Sequence, residues 1–540
     1  MRRVMKARGW YGARRVGAGA LAGALTAGVA LGVAQLTAAA TGPASAPVTA
    51  VGQAAINLTP VPVKDFAIAH FGSDDKQALV AGIVVLLAAF AALIGVLAVR
   101  RLAYGLAGLA VFAAIGAAAA VSLPGAGGLD VVPTLAGVAV AAPALAVLAR
   151  AVRAARPGLR AAASQPGVPP ETGSPVDSPA RPDRRRFLIA GTAAAGLAAT
   201  AGGLGDALLG RFSVAASRAG VRLPAPAVRA PAVPAGTGLR IPGLTPFFTP
   251  NASFYRVDTD LVLPQIPPQT WTLRVDGMVA RPLQISFADL LAMPLTEADI
   301  TLVCVSNQVG GPYAGNARWL GAPLAALLRR AGIRAGADQV LSTATDGMTI
   351  STPVTAILDG PGAHGPCALL AVGMNGQPLP VEHGFPARMV VPGLYGYTAA
   401  TKWVTRLTLT TFAARRAYWT QRGYAAIAPI HTESRIDVPR PLAQLTAGQV
   451  TVAGVAWAPT RGIAAVQVSV DNGRWHTARL AAAGGTGTWQ QWAWTWDASP
   501  GPHQLQVRAT DSTGATQTSR RAGVFPAGAT GRDSVVVTVT

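Results

Sequence analysis

Five apolar stretches crowd into the first 210 residues, at roughly 17–40, 77–99, 102–123, 131–149 and 187–205. Each approaches the about 20 residues a helix needs to cross a hydrocarbon core. No other feature constrains the chain so strongly, because lipid admits only helices and closed barrels. Basic residues punctuate the runs. Six lie within the first fifteen residues, Arg100 and Arg101 follow the second run, Arg150, Arg153, Arg156 and Arg160 close the fourth, and Arg184 to Arg186 precede the fifth. The third run ends instead in Pro124-Gly125-Ala126-Gly127-Gly128, without Lys or Arg. This alternation predicts basic loops on the cytoplasmic side, a first helix running outward, and a fifth that carries the rest of the chain outside. The run 131–149 is short and contains Pro133 and Pro143, which a buried bundle tolerates. His70 is the only histidine before residue 364, and charges are nearly absent from the runs. Haem ligation within the bilayer and an ion path are therefore not expected, and the helices read as an anchor or docking platform.

The net charge of +21 invites a nucleic-acid reading. Many of the arginines sit at the ends of apolar runs, and no basic stripe interleaved with aromatics exists, so that class is set aside. With two cysteines, Cys304 and Cys367, the chain carries no disulfide framework.

Composition divides the chain into a four-helix membrane region (1–155), a Pro/Ser/Gly-rich cytoplasmic linker (156–183), a fifth membrane helix with its basic flank (184–210), a Pro/Ala/Arg-rich spacer (211–240), an α+β domain (241–425) and a β-rich domain (426–540). Arg184-Arg185-Arg186-Phe187-Leu188 before an Ala/Gly-rich run resembles a twin-arginine export signal placed internally, and also reads as an ordinary positive-inside flank. In 241–425, Trp271–Gly277, Ile300–Val303, Cys367–Val372, Met389–Val391 and Trp403–Leu409 read as strands, with helices at Phe287–Leu291 and Ala322–Ala331. In 426–540, strand-like runs recur between turn signals such as Asp471-Asn472-Gly473, the pattern of an immunoglobulin-like β-sandwich.

The strand Ile300–Val303 delivers Cys304 into a loop of polar residues and glycines. A thiolate there is a soft ligand for a transition metal. With no other Cys or His nearby in sequence, tetrahedral zinc is poorly supported. His383, Arg388 and Lys402 sit in Gly/Pro-rich loops suited to holding an anion. Cys367, before the apolar run Ala368-Leu369-Leu370, reads as core.

Three stretches occur in order: Thr249-Pro250-Asn251-Ala252-Ser253-Phe254-Tyr255-Arg256; Leu302-Val303-Cys304-Val305-Ser306-Asn307-Gln308, with Asn316-Ala317-Arg318-Trp319; and Met374-Asn375-Gly376-Gln377-Pro378-Leu379-Pro380, with His383-Gly384-Phe385-Pro386-Ala387-Arg388 and Val391-Pro392-Gly393. Together they resemble the sulfite oxidase family of molybdopterin enzymes over about 241–540. Val452–Trp457 and Val468–Gly473 resemble the family's dimerisation domain, which implies a homodimer formed through it. The resemblance implies that Cys304 binds molybdenum carried by one pterin. Asn251, His383, Arg388 and Lys402 would hold the pterin and its phosphate, Phe254 and Tyr255 fit a pattern of bacterial members, and Trp319 would line the pocket. Arginines that animal and plant members place beside the substrate anion are Pro250 and Val309 here, and Arg416 lies where a pocket tyrosine is expected. The implied reaction is oxygen-atom transfer on sulfite, with a sulfoxide or nitrate reductase as the alternative on the same scaffold. No haem is expected in this chain, and electrons pass to a separate cytochrome or quinone. A non-enzymatic reading, a membrane-anchored β-sandwich binding module, also stays open.

Overall fold

In this computed structural model every residue is described except 1, 61–62, 64–65, 68–69, 72–74, 124–125, 155–181 and 360–364. The chain divides into two compact units, residues 1–213 with 259–262 and residues 214–258 with 263–540.

The first unit is helical: α1 (Arg2–Thr41), α2 (Pro47–Leu58), α3 (Asp75–Arg100), α4 (Leu102–Ser122), α5 (Val132–Ala154) and α6 (Pro182–Leu209). All but α2 are long and apolar enough to cross a membrane, five spans matching the five predicted runs. Pro143 sits inside α5 without ending it. The helix α2, inside the loop 41–76, is not expected from sequence. Its Pro47 presets φ at the first helical position, where no amide donor is needed. The predicted linker 156–183 lies outside the described residues up to residue 181, as do Pro124 and Gly125.

Small residues let the helices approach closely, since apolar helices gain little from hiding in lipid except tight contact. A Cβ on Gly23 would stand 1.9 Å from the Ala91 carbonyl oxygen, and one on Gly95 2.0 Å from that of Gly19. This crossing locks α1 against α3. The bundle leaves large apolar side chains uncovered, including Val85 and Leu86 at 67% and 71% exposure. Such a surface is costly in water and suits hydrocarbon.

The second unit begins with the segment expected as a spacer. It lies along the domain. The Ala227 amide donates to Leu295 O and the Glu297 amide to Val228 O, both at 2.8 Å, and Arg218 reaches the carbonyls of Pro378 and Leu379 at 2.7 Å. Ten strands follow: β1 (Thr272–Gly277), β2 (Leu283–Ser286), β3 (Thr296–Val303), β4 (Ala314–Pro323), β5 (Gln339–Ala344), β6 (Thr349–Pro353), β7 (Leu369–Met374), β8 (Gln377–Pro378), β9 (Arg388–Val390) and β10 (Val404–Thr410). They form one sheet ordered β2-β1-β10-β5-β6 and another ordered β3-β4-β7-β8, with β9 paired to β7. Helices at Phe287–Leu291 and Leu324–Ala331 pack between them. The latter starts two residues later than predicted because β4 continues through Pro323.

Nine further strands form two sheets. One contains β11 (Glu433–Val438), β13 (Gly448–Trp457), β17 (Gln490–Ala498) and β16 (Arg479–Leu480). The other contains β12 (Gln444–Leu445), β19 (Ser534–Val539), β18 (Gly501–Asp511), β14 (Ile463–Val470) and β15 (Trp475–Thr477). Val452 and Trp492 of the first meet Val466, Val507 and Val537 of the second in one apolar core. The predicted turn joins β14 to β15, with Asp471 and Asn472 both at positive φ, as a tight hairpin turn demands.

Candidate functional site

Strand β3 is buried along its last four residues, so Cys304 leaves it from inside the domain. The register Val303↔Ala314 holds the loop ends together, and the Cys304 amide donates to Tyr313 O at 2.9 Å. Inside the loop the Ser306 amide points at Cys304 Sγ at 3.4 Å, Asn307 N donates to Cys304 O, and Asn307 Oδ1 accepts from the Tyr313 amide at 2.7 Å. Burial pushes the Cys304 thiol pKa up, against the Ser306 amide and Lys402, which favour thiolate. Such a sulfur is poised for a positive partner.

The hairpin β7–β8 turns through Asn375 and Gly376, at φ +50° and +77°. Asn375 also organises the pocket. Its side chain donates to Asn251 Oδ1 at 2.8 Å and Thr249 O at 2.9 Å, and accepts from the Arg318 amide at 3.0 Å. Asn251 in turn donates to Met374 O, and its carbonyl faces His383 Nε2 at 3.2 Å. Gly384, at φ +107°, fits closely between the two cationic residues, since a Cβ there would stand 3.0 Å from Arg388 Cβ and 3.2 Å from Lys402 Cα.

Arg388 is 5% exposed and bonds only carbonyls, including His383 O at 3.0 Å and Ala400 O at 3.3 Å, among the described residues. Its guanidinium lies 5.1 Å above the Trp319 ring. Burial without a carboxylate lowers its pKa to about 10. Burial and the Arg388 charge bring His383 down to about 4, so the imidazole is neutral in the physiological range. Lys402 Nζ reaches Asp258 at 3.0 Å and Glu382 O at 3.2 Å. Phe254 joins the parts, with its ring 5.2, 5.9 and 5.4 Å from Tyr255, Trp319 and His383. Burial and the nearby Cys304 push the Tyr255 hydroxyl up, and its ring lies 6.3 Å from that of Tyr313.

Eight of the nine residues singled out from sequence thus belong to linked elements around Cys304. Trp319 sits deeper than a pocket wall, at 0% exposure with Nε1 donating to Ile300 O, and acts as a floor under Arg388. Arg416 is exposed, in the segment after β10, and the fold does not bring it into this group. Sequence reasoning passed over Asn307, Tyr313, Asn375 and Tyr395. Asn375 carried a signal as a turn residue; Asn307 and Tyr313 are fixed by bonds within the Cys304 loop, and Tyr395 comes from a stretch distant in sequence. Tyr395 is buried, and burial, Glu433 and Cys304 all raise its pKa.

The second pair of sheets braces the loop. Arg435 on β11 donates to Gly311 O at 2.8 Å, and the Asp533 carboxylate fills the space beside Gly310, where a Cβ would stand 2.3 Å from Oδ1. The Trp489 amide donates to Thr301 Oγ1 on β3 at 2.7 Å.

The residues fit a metal delivered by an anionic organic cofactor. Among the described residues no three His, Cys, Asp or Glu side chains converge on a metal position, so Cys304 would be a lone protein ligand. The buried Asn307 Nδ2 has no acceptor among them, and Arg388 no counter-anion, which is the polar capacity an incoming anion would satisfy.

The family profile "Oxidoreductase molybdopterin binding domain" matches residues 260–419. Sulfite oxidase of Gallus gallus is 32% identical over 311 residues, 49% of this chain and 67% of that enzyme. Mitochondrial sulfite oxidase of Mus musculus is 31% identical, over 46% of this chain and 52% of its own, so the chain spans about half the length of that relative. A nitrate reductase [NADH] of Oryza sativa is 30% identical over 203 residues, 32% of this chain and 21% of its own.

Proposed function

The chain belongs to the sulfite oxidase family of molybdopterin-dependent oxidoreductases, and from that premise we propose that it transfers an oxygen atom at the outer face of the cytoplasmic membrane. The observation that carries this reading is the buried Cys304 thiol in a loop tied to Tyr313 and braced by Arg435.

When bound, the cofactor supplies the two-electron redox chemistry of molybdenum, and the protein supplies binding, orientation and electrostatics. Cys304 would be the metal's protein ligand. The Ser306 amide hydrogen-bonds its sulfur and offsets part of the cost of a buried thiolate. Arg388, Lys402 and His383 would hold the pterin phosphate, with Asn251 fixing the imidazole through its carbonyl. Because His383 is neutral, it acts as a hydrogen-bonding group, leaving charge neutralisation to Arg388 and Lys402. Phe254 and Tyr255 build the apolar wall that excludes water, with Trp319 as the floor beneath Arg388. Electrons leave to a separate cytochrome or quinone. The five helices anchor the catalytic unit to the membrane, with the arginine-rich ends cytoplasmic and export through the twin-arginine-like motif Arg184 to Arg186. The paired sheets serve as an immunoglobulin-like dimerisation domain.

Sulfite is the first substrate to test. A neutral sulfoxide is favoured by one specific feature: by the family resemblance Pro250 and Val309 stand where an oxyanion such as sulfite or nitrate wants cations, and Arg416 is exposed. The nitrate alternative rests instead on the Oryza relative.

The test uses full-length protein from a molybdenum-replete host. It should contain about one molybdenum per chain and turn over sulfite, a sulfoxide or nitrate with an artificial electron carrier. Cys304→Ser should lose more than about a hundredfold in kcat, beyond what outer-shell substitutions cost. Activity of the serine variant within about tenfold of wild type would sink the assignment.

A further inference from the structure

At one end of the helical unit lies a cavity of about 750 Å³. Arg15 of α1, Arg100 of α3, and Arg150 and Arg153 of α5 line it, with Val16 and Val99 among its apolar walls. Three helices thus contribute four arginines to the lining of one space. Among the described residues no carboxylate pairs with any of them. Arg153 Nη2 donates to Ala98 O near the end of α3, while its Nε is closed off from solvent with no acceptor among the described residues. The positive-inside rule accounts for arginines at helix ends. It does not account for helices that leave an open volume between those arginines, where like charges repel.

We propose that this cavity binds the phosphate headgroup of an anionic phospholipid. Guanidinium forks match phosphate oxygens bidentately, and basic pockets between membrane helices take such headgroups. Two observations favour a lipid over free phosphate. The volume is that of a pocket for a drug-sized ligand. The valine walls belong to spanning helices, so an acyl chain entering beside the headgroup continues along apolar surface. The bound lipid holds together the ends of α1, α3 and α5.

The inference rests on the reading that these helices cross a bilayer, which is checked separately: the full chain should resist alkaline carbonate extraction and require detergent. The site itself is tested on full-length protein in a zwitterionic detergent, offered phosphatidylglycerol, phosphatidylcholine or inorganic phosphate, with retained lipid read by native mass spectrometry. Phosphatidylglycerol should be retained at least about tenfold over phosphatidylcholine, as two charge-assisted contacts imply. Arg100→Gln with Arg150→Gln should abolish that preference. Arg101→Gln with Arg222→Gln removes the same charge outside the cavity, since Arg101 stacks on Tyr104 and Arg222 is exposed in the other unit, and should keep it. Arg100→Lys with Arg150→Lys retains charge and should retain part of the preference even if the Gln pair folds poorly. Equal retention of the two lipids, or equal loss in the control pair, overturns the proposal. Displacement of phosphatidylglycerol by millimolar inorganic phosphate overturns the lipid assignment in favour of a free-anion site.

Discussion

In the C-terminal sheets Arg461 bonds Asp511 at 2.9 Å and also reaches Ile430 O and Thr432 Oγ1. Burial opposes the Asp511 charge, yet bonds from Thr513, Thr432 and Arg461 hold its carboxyl well below the usual range. Around Cys304 the arrangement is reversed. Among the described residues Arg388 is buried on carbonyls without a carboxylate, Asn307 keeps an unpartnered donor, and the Cys304 sulfur is met by the Ser306 amide and side chain. Closed pairs stabilise the fold that contains them, whereas open polar groups cost stability until something else satisfies them. Among the described residues of these sheets the buried atoms without a partner include Trp457 Nε1, Trp492 Nε1 and Arg532 Nε, and the carboxyl among them is that of Glu433, whose pKa burial, helped by Asp533, raises to about 8. That carboxyl and Asp533 lie on the side that braces the Cys304 loop.

The contrast breaks most easily at Arg388. Arg388→Met should cut molybdenum content at least about thirtyfold, since it removes the buried cation from an anion site. Metal retained at wild-type level would show that the guanidinium is structural. Next comes Arg461→Ala, expected to cost about 2 kcal/mol of stability by stranding Asp511, less than a fully buried pair because Arg461 is partly exposed. Denaturant titration reads the loss, and molybdenum per folded chain should not change. A cofactor defect there would erase the distinction between the two regions.

The Glu433 carboxyl sharpens the comparison through pH. Its folded pKa of about 8 exceeds the unfolded value near 4.5, so the neutral form is favoured in the fold. Its contribution is intact below the unfolded pKa and is lost as pH rises from about 4.5 through 8. Glu433→Gln should flatten the fall in Tm across that window by a few degrees; identical wild-type and variant profiles would refute it. The smallest effect is expected at Cys367, which is half-buried and packs against the core beside β7. Cys367→Ala should change stability by less than about 1 kcal/mol and leave metal content intact, unlike the other cysteine.

Five membrane-length helices, the strand that delivers Cys304, the Asn375-Gly376 turn and the hairpin at Asp471 all follow from residues adjacent in sequence. Local periodicity and turn chemistry need no partner to be read. The loops bearing Asn251, Cys304, His383, Arg388 and Lys402 were also legible, because each announces itself through a cluster of Gly, Pro and polar residues. What the tertiary structure alone decided is which groups meet. Trp319 became a floor under Arg388 because β4 is covered on both faces, and Arg416 stayed at the surface because its segment runs outside the sheets. Tyr395 joined the site, and Arg435 reached Gly311, across separations that no local pattern encodes. The four-arginine cavity belongs to the same class, since charge at a helix end is written in sequence but its convergence depends on how three helices pack.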